Sequence, residues 1–157
     1  MKQAPRKEKE LHRTLGVEEF NLVWPLLGKQ RRTRDEDDTM VHAAHASRFH
    51  WGIAGGPKEW AIGEWQISHV YAVLGREESA SYHANRCLEL CNANRLGDFL
   101  LAYAYEALAR ADALAGRRRD LRRHLASAYE AGLKIGEAYD RKRFFSDLKT
   151  VARVKPR

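Results

Sequence analysis

The sequence predicts an all-α protein built from stacked antiparallel helical hairpins, with about six to seven helices. Three observations lead to this class. Apolar residues recur at helical spacing along most of the chain, and glycine-containing breaks interrupt that pattern at short intervals. No segment combines sustained apolar alternation with enrichment in β-branched residues, so no sheet is predicted. Because few residues separate neighbouring helices, these must pack antiparallel.

Glycine-containing breaks define the individual helices. Gly75 and Gly116 each follow an apolar-periodic segment, where glycine commonly ends a helix. Residues 55–57, Gly-Gly-Pro, end one helix and begin the next, because the proline lacks an N–H that the first turn would not use. The predicted helices span residues 35–54, 57–74, 77–93, 98–115, 118–135 and 137–152, with a shorter helix near 17–28. Pro25 should bend or end that shorter helix.

The chain length of 157 residues fits a single helical domain, which we assign to residues 15–152. We expect a basic disordered tail over residues 1–14 and a short basic tail over residues 153–157. The net charge is +7, and it is distributed as a mildly acidic middle between basic ends. Basic ends could meet nucleic acid or an acidic partner, although solvated helix faces produce the same pattern.

The composition favours a cytoplasmic protein with no membrane segment. No apolar run approaches the roughly 20 residues that a membrane-spanning helix needs, and the N-terminus lacks the apolar core of a signal peptide. The only cysteines, Cys87 and Cys91, lie on one predicted helix, where they should pack as small apolar residues. This use of cysteine fits a reducing compartment.

A weak internal repeat relates two of the predicted hairpins. Aligning Gly75 with Gly116 brings Ala-Val-Leu-Gly-Arg onto Ala-Leu-Ala-Gly-Arg. A helical hairpin that recurs along a chain indicates an array in which each unit buries its apolar face by stacking on the next.

The segment 65–90 resembles a tetratricopeptide repeat. The aromatic, turn glycine, small packing residues and apolar tail of that family fall on Tyr71, Gly75, Ala80, Tyr82, Cys87, Leu88 and Leu90. The resemblance covers residues 61–94 and extends to residues 98–135, where Leu121 replaces the small residue expected after the turn. The spacing between the two hairpins exceeds the family period of roughly 34 residues, so the helices are longer or the turns wider.

The resemblance implies a protein-interaction or scaffolding module that binds a peptide or protein partner, rather than an enzyme. In that family the first helix of each hairpin lines a concave groove that holds peptides. The residues carried over to the groove of this sequence are Ile62, Trp65, His69, Ala72 and Val73 from one hairpin and Tyr103, Glu106, Arg110 and Ala113 from the next. The candidate ligand contacts among them are Trp65, His69, Tyr103, Glu106 and Arg110. Trp65 is the best single candidate for ligand contact. The Lys and Asn set by which some members grip a C-terminal carboxylate is absent, so a chaperone-tail ligand is not expected.

The histidines support an alternative hypothesis, a metal-dependent enzyme that uses Zn or Fe. His42 and His45 are three residues apart and therefore share one helix face. Glu64, His69 or His83 could complete a metal site with an open position for water. The pattern His-x-x-His lacks the glutamate of His-Glu-x-x-His. Histidines that bond to neighbouring helices are therefore the competing explanation, and no cofactor is the simpler expectation.

Two carboxylates lie on helix surfaces that we expect to be covered. Glu64 is surrounded by aromatic residues in the sequence, so it should have either a raised pKa or a charge partner. We favour an ion pair with Arg48 or Arg86 that ties two helices together. Asp112 is interpreted in the same way.

The basic C-terminal third supports a second alternative, nucleic-acid binding through Arg118, Arg122 and Arg123. Like charges at i and i+4 destabilise a helix unless an anionic partner compensates. No recognition-helix motif or interleaved aromatic residue accompanies the arginines, so a solvated convex face is the simpler interpretation.

End helices of short hairpin arrays expose apolar surface unless they are capped, so a homodimer is plausible. Phe144, Phe145 and Leu148 could either cap the array or form that contact.

Overall fold

The computed structural model describes residues 5–156. Within these residues the helices are α1 Arg6–Leu27, α2 Arg34–Ala54, α3 Pro57–Val73, α4 Glu77–Ala93, α5 Asp98–Leu114, α6 Arg118–Leu133 and α7 Ala138–Thr150, followed by a 3₁₀ turn over Val151–Arg153. None of the described residues forms a β-strand, so the predicted all-α class is confirmed. None of the helices in this part of the chain combines the length and apolar character needed to cross a membrane.

The helices pair into three stacked hairpins. The most extensive packing joins α1 with α2, α3 with α4, and α5 with α6. The first helices of the second and third hairpins, α3 and α5, also pack against each other, and α7 packs on α5 and α6. This arrangement confirms the predicted array of helical hairpins.

Gly75 and Gly116 end helices as predicted. Both have positive φ, 72° and 69°, which strains a residue with a Cβ atom. After the first of them, the Arg76 N–H donates to the carbonyl of Tyr71 at 2.9 Å, and the Gly75 N–H donates to the carbonyl of Ala72 at 3.1 Å. These two bonds form a Schellman motif, which satisfies carbonyl groups at the helix end.

The first helix is longer than the sequence predicts. It begins at Arg6 instead of near residue 17, so residues 6–14 are helical although we assigned them to a disordered tail. The helix ends at Leu27, two residues after Pro25, which agrees with the expectation for that proline. Residues 1–4 and 157, which belong to the two predicted tails, lie outside the described residues.

Close packing against α2 explains why the first half of α1 is ordered. Gly16 is buried, and a Cβ atom there would lie 3.0 Å from the Trp51 ring. The Ser47 hydroxyl donates to the Gly16 carbonyl at 2.7 Å. Nearby, the rings of His12 and His50 meet with their Nδ1 atoms 2.6 Å apart. These contacts join residues far apart in sequence, so no local sequence pattern predicts them.

The central helix α3 is covered on opposite sides. Ile67 and Val70 pack in a cluster with Met40 of α2. Ala61 packs in a different cluster with Cys87 of α4. Because α3 also contacts α5, it is the helix on which the surfaces of all three hairpins meet.

The last helix closes the array. Phe144 is fully buried, and its ring fills the space above Gly132, where a Cβ atom would come within 2.5 Å of it. Phe145 and Leu148 are partly buried against the same cluster. The three residues therefore cap the array, which is one of the two roles predicted for them.

Candidate functional site

A cavity of about 820 Å³ lies between α1, α3, α5 and α7. We call its ring-bearing residues the aromatic lining: Phe20, Trp24, Trp65, Phe99 and Tyr103. We call the residues with polar side chains the polar lining: His69, Glu106, Arg110, Arg143, Asp147 and Thr150. A mostly apolar cavity of a few hundred to a thousand Å³ with a few convergent polar groups is typical of a ligand site.

Six of the nine residues carried over to the groove line this cavity, and Ala72, Val73 and Ala113 do not. The six include all five candidate ligand contacts: Trp65, His69, Tyr103, Glu106 and Arg110. The helical period explains how they meet. Residues four apart share a helix face, which groups Trp65 with His69 on α3 and Glu106 with Arg110 on α5. Because α3 and α5 pack against each other, the two faces border the same space. That these residues contact a ligand stays a prediction.

A buried ion pair lies at the centre of the polar lining. Glu106 is 1% exposed and Arg110 is 7% exposed. The Arg110 Nε donates to Glu106 Oε1 at 2.8 Å, and the Trp65 indole N–H donates to Glu106 Oε2 at 3.2 Å. The Arg110 Nη2 also donates to the Thr150 hydroxyl at 2.7 Å. The pair therefore connects α5 with α3 and α7, and each charge has a partner.

Two polar atoms, one on Arg110 itself and one on the neighbouring His69, have no hydrogen-bond partner among the described residues. The Arg110 Nη1 makes no hydrogen bond within the described part of the chain, since Nε and Nη2 carry all of that side chain's bonds. The Nδ1 atom of His69 is buried and has no partner there. Burial, followed by the charge of Arg110, lowers the pKa of His69 to about 3, so its imidazole is neutral at neutral pH. Of the two atoms only His69 Nδ1 is fully buried. A buried polar atom without a partner beside a cavity marks a place for a ligand or a water molecule.

A second hydrogen-bonded pair, Tyr103 and Asp147, joins α5 to α7 in the lining of the cavity. The Tyr103 hydroxyl donates to Asp147 Oδ2 at 2.7 Å. Burial, together with the hydrogen bond and charge of Asp147, raises the pKa of Tyr103 well above its usual range, so it stays a neutral phenol. Arg143, also on α7, is exposed, and its positive charge partly offsets this rise in the pKa of Tyr103. Arg143 forms no ion pair among the described residues.

Sequence reasoning missed the contributions of α1 and α7. The Trp24 ring centre lies 5.6 Å from that of Trp65, which places an α1 side chain directly against the predicted groove. Phe20, Trp24 and Leu27 all line the cavity. Their spacing of four and three residues is an apolar stripe, and that pattern could have marked the face. It could not have shown which surface the stripe covers.

The candidate metal ligands come together only in part. The His45 and His83 ring centres lie 5.4 Å apart, and His83 Nδ1 lies 2.6 Å from Glu64 Oε2. His69 is five residues from Glu64 on α3, so it points roughly 140° away from it around the helix. His45 lies near Glu64, but its Nε2 bonds with the Tyr71 hydroxyl at 2.8 Å, and His42 is exposed. Among the described residues, no group of three or more His, Cys, Asp or Glu side chains could hold a metal ion.

The covered carboxylates have the charge partners that we predicted. Glu64 Oε1 accepts from the Arg48 Nε at 2.9 Å, and Oε2 pairs with the His83 Nδ1 at 2.6 Å. Burial by itself would raise the pKa of Glu64, but the His83 bond and charge, with Arg48, outweigh burial and lower it. Asp112 is paired similarly, with the His124 Nδ1 at 2.6 Å. These groups tie neighbouring helices together.

The predicted nucleic-acid residues lie on α6, which does not line the cavity. Arg118, Arg122 and Arg123 are all exposed. Arg123 is partly neutralised by Asp120, whose carboxylate lies 3.1 Å away. The structure therefore places the three arginines on one solvent-facing helix, and nucleic-acid binding stays a prediction.

Comparisons of the chain with protein-family models, curated proteins and solved structures found no match. The candidate site therefore rests on the geometry of the cavity.

Proposed function

We propose that this protein is a tetratricopeptide-like interaction module that binds a peptide or protein partner, and that the partner inserts an apolar group into the cavity. The observation that carries the proposal is the convergence of the five candidate ligand contacts in one aromatic-lined space. Aromatic residues and arginine in desolvated pockets are the groups that supply most binding energy at protein interfaces.

The position of α1 favours insertion over a flat groove. Phe20 and Trp24 of α1 line the same cavity as the α3 and α5 residues, and Trp24 contacts Trp65 directly. The rings of α1 therefore occupy part of the surface along which an extended peptide would lie on α3. A side chain or short apolar segment entering the cavity would instead be surrounded by rings.

The state of the polar lining favours binding over catalysis. Glu106 is held by Arg110, and Asp147 accepts a hydrogen bond from Tyr103. His69, with a pKa of about 3, is a poor base at neutral pH. These groups are arranged to position a ligand.

A cytoplasmic site of action fits the two thiols. Cys87 and Cys91 are both free and buried, as expected in a reducing compartment.

Affinity capture with matched variants tests the proposal. Phe99 lines the cavity and is 39% exposed, so Phe99→Ala should remove ligand contact at little cost in stability. Tyr82, which is 61% exposed and lies outside the cavity, supplies the control Tyr82→Ala. We expect the wild type and Tyr82→Ala to retain the same partner, and Phe99→Ala to bind it about tenfold more weakly or worse. Arg110 is unsuitable for this test, because its loss would leave Glu106 buried and unpaired.

Each variant is first checked for folding by circular dichroism. Equal retention of the partner by folded Phe99→Ala and by the wild type would contradict the proposal.

A further inference from the structure

We infer that the group entering the cavity is an organic acid: a large apolar or aromatic body that carries a carboxylate. This inference rests on the proposed function, because it names the ligand chemistry of the same cavity. Four observations support it, and each concerns a different part of the lining.

The first observation is the unused donor on Arg110. Its Nε and Nη2 are engaged by Glu106 and Thr150, but Nη1, which carries two N–H groups, has no partner among the described residues. Arg110 as a residue is 7% exposed, but its Nη1 atom is not among the fully buried atoms without a partner. Because Arg110 lines the cavity, an acceptor on a ligand there can reach this charged donor.

The second observation is the unpartnered nitrogen of His69. Its Nδ1 is buried, and the side chain lies close enough to Arg110 to feel that charge. A neutral imidazole can carry its proton on Nδ1, which makes that atom a donor. A carboxylate has two oxygens and about four lone-pair sites, so it can accept from both His69 and Arg110.

The third observation is the guanidinium of the polar lining that has no ion pair within the described part of the chain. Formal charges balance in this lining, because two carboxylates, Glu106 and Asp147, face two guanidiniums, Arg110 and Arg143. Glu106 accepts from Arg110, and Asp147 accepts from Tyr103. Arg143 is exposed and has no ion pair among the described residues, so its guanidinium is free to pair with an anionic head group. The net charge of +7 adds a long-range attraction of the same sign.

The fourth observation is the apolar volume next to these donors. Trp24, Trp65 and Phe99 border a space of about 820 Å³, far more than a carboxylate by itself would fill. Burying an apolar body against these rings supplies binding energy, and the donors then fix the orientation of its acidic end. The apolar body of such a ligand fits the aromatic lining, and its carboxylate fits the donors of the polar lining.

Three probes with one body and different head groups test the inference: 4-phenylbutyrate, 4-phenylbutan-1-ol and 4-phenylbutylamine. Their binding to the full chain is measured by isothermal titration calorimetry at pH 7.4. We expect the acid to bind about tenfold more tightly than the alcohol, because hydrogen bonds to charged groups are the stronger ones. The amine should bind most weakly. Equal or tighter binding of the alcohol or amine would overturn the inference.

Variants then test whether the unpaired charge of Arg143 attracts the head group. Arg143→Gln removes an exposed charge that has no ion pair to lose, and Lys142→Gln removes an exposed neighbouring charge outside the cavity. We expect Arg143→Gln to lower the preference for acid over alcohol several-fold, and Lys142→Gln to leave it unchanged. The same acid preference in both variants would show that the free guanidinium of the lining does not attract the acid, and would overturn the inference.

The outcomes separate this inference from the proposed function. If the alcohol binds as well as the acid and Phe99→Ala weakens both, the cavity binds apolar groups and only the inference fails. If none of the three probes binds, the inference also fails. The proposed function is then decided independently, by whether Phe99→Ala loses the captured partner.

Discussion

Replacing His69 tests the electrostatics of the polar lining. Burial and the charge of Arg110 lower its pKa to about 3, from 6.5 for an unperturbed histidine. The folded protein therefore keeps this imidazole neutral at pH values where the unfolded chain has already protonated it. Because the unfolded state binds more protons between these values, stability that is present above pH 6.5 is lost as the pH falls towards 3.

The size of the effect at pH 5 follows from these two pKa values. The unfolded histidine is then almost fully protonated and the folded one is almost fully neutral. The free energy of unfolding should fall by RT ln(1 + 10^1.5), which is about 2 kcal/mol, relative to pH 8. This is a large fraction of the stability of a small domain.

Urea unfolding followed by circular dichroism at pH 8 and pH 5 provides the assay. Other groups also titrate in this range, so the quantity compared is the difference between variants. His69→Gln removes the titrating group, and His42→Gln removes an exposed histidine as the control. Between pH 8 and pH 5 we expect the wild type and His42→Gln to lose about 2 kcal/mol more than His69→Gln. An equal loss in His69→Gln would refute the reasoning.

Two further substitutions test packing and charge at the site, both by urea unfolding. Arg110→Met leaves the Glu106 carboxylate buried without a cation and should cost about 3–5 kcal/mol. Adding Glu106→Gln should recover much of that loss, and no recovery would contradict the role of the ion pair. Gly132→Ala places a Cβ atom 2.5 Å from the Phe144 ring and should cost about 1–3 kcal/mol. Gly136→Ala, with no atom within 4 Å of the added Cβ, is its control, and equal stability of the two would contradict the packing argument.

Much of the array was predictable because its boundaries depend on local interactions. Gly75 and Gly116 end helices through the backbone geometry that glycine allows, and this geometry involves only the few residues on either side. The short linkers then decide which helices are neighbours. The prediction was wrong at residues 6–14. Their charged sequence suggested a tail, but they continue α1, which packs against α2 through His12 and Gly16.

The candidate site was predictable to the same extent. Spacing by four residues places Trp65 with His69 and Glu106 with Arg110, so both pairs could be assigned to one surface from the sequence. The histidine hypothesis was less predictable, because the partners of these side chains lie on other helices. His45 bonds with Tyr71, and His83 pairs with Glu64, and only the packing of α2, α3 and α4 decides these contacts.

The sequence by itself determined which residues form helices, where most of the helices end and which side chains share a face, because these properties depend on neighbours within about one helical turn. Only the tertiary structure decided that Trp24 closes the groove into a cavity and that Asp147 and Thr150 reach its polar end. These side chains come from the first and last helices, far from α3 and α5 in the chain. Their positions follow from how whole helix surfaces pack, which no local pattern specifies.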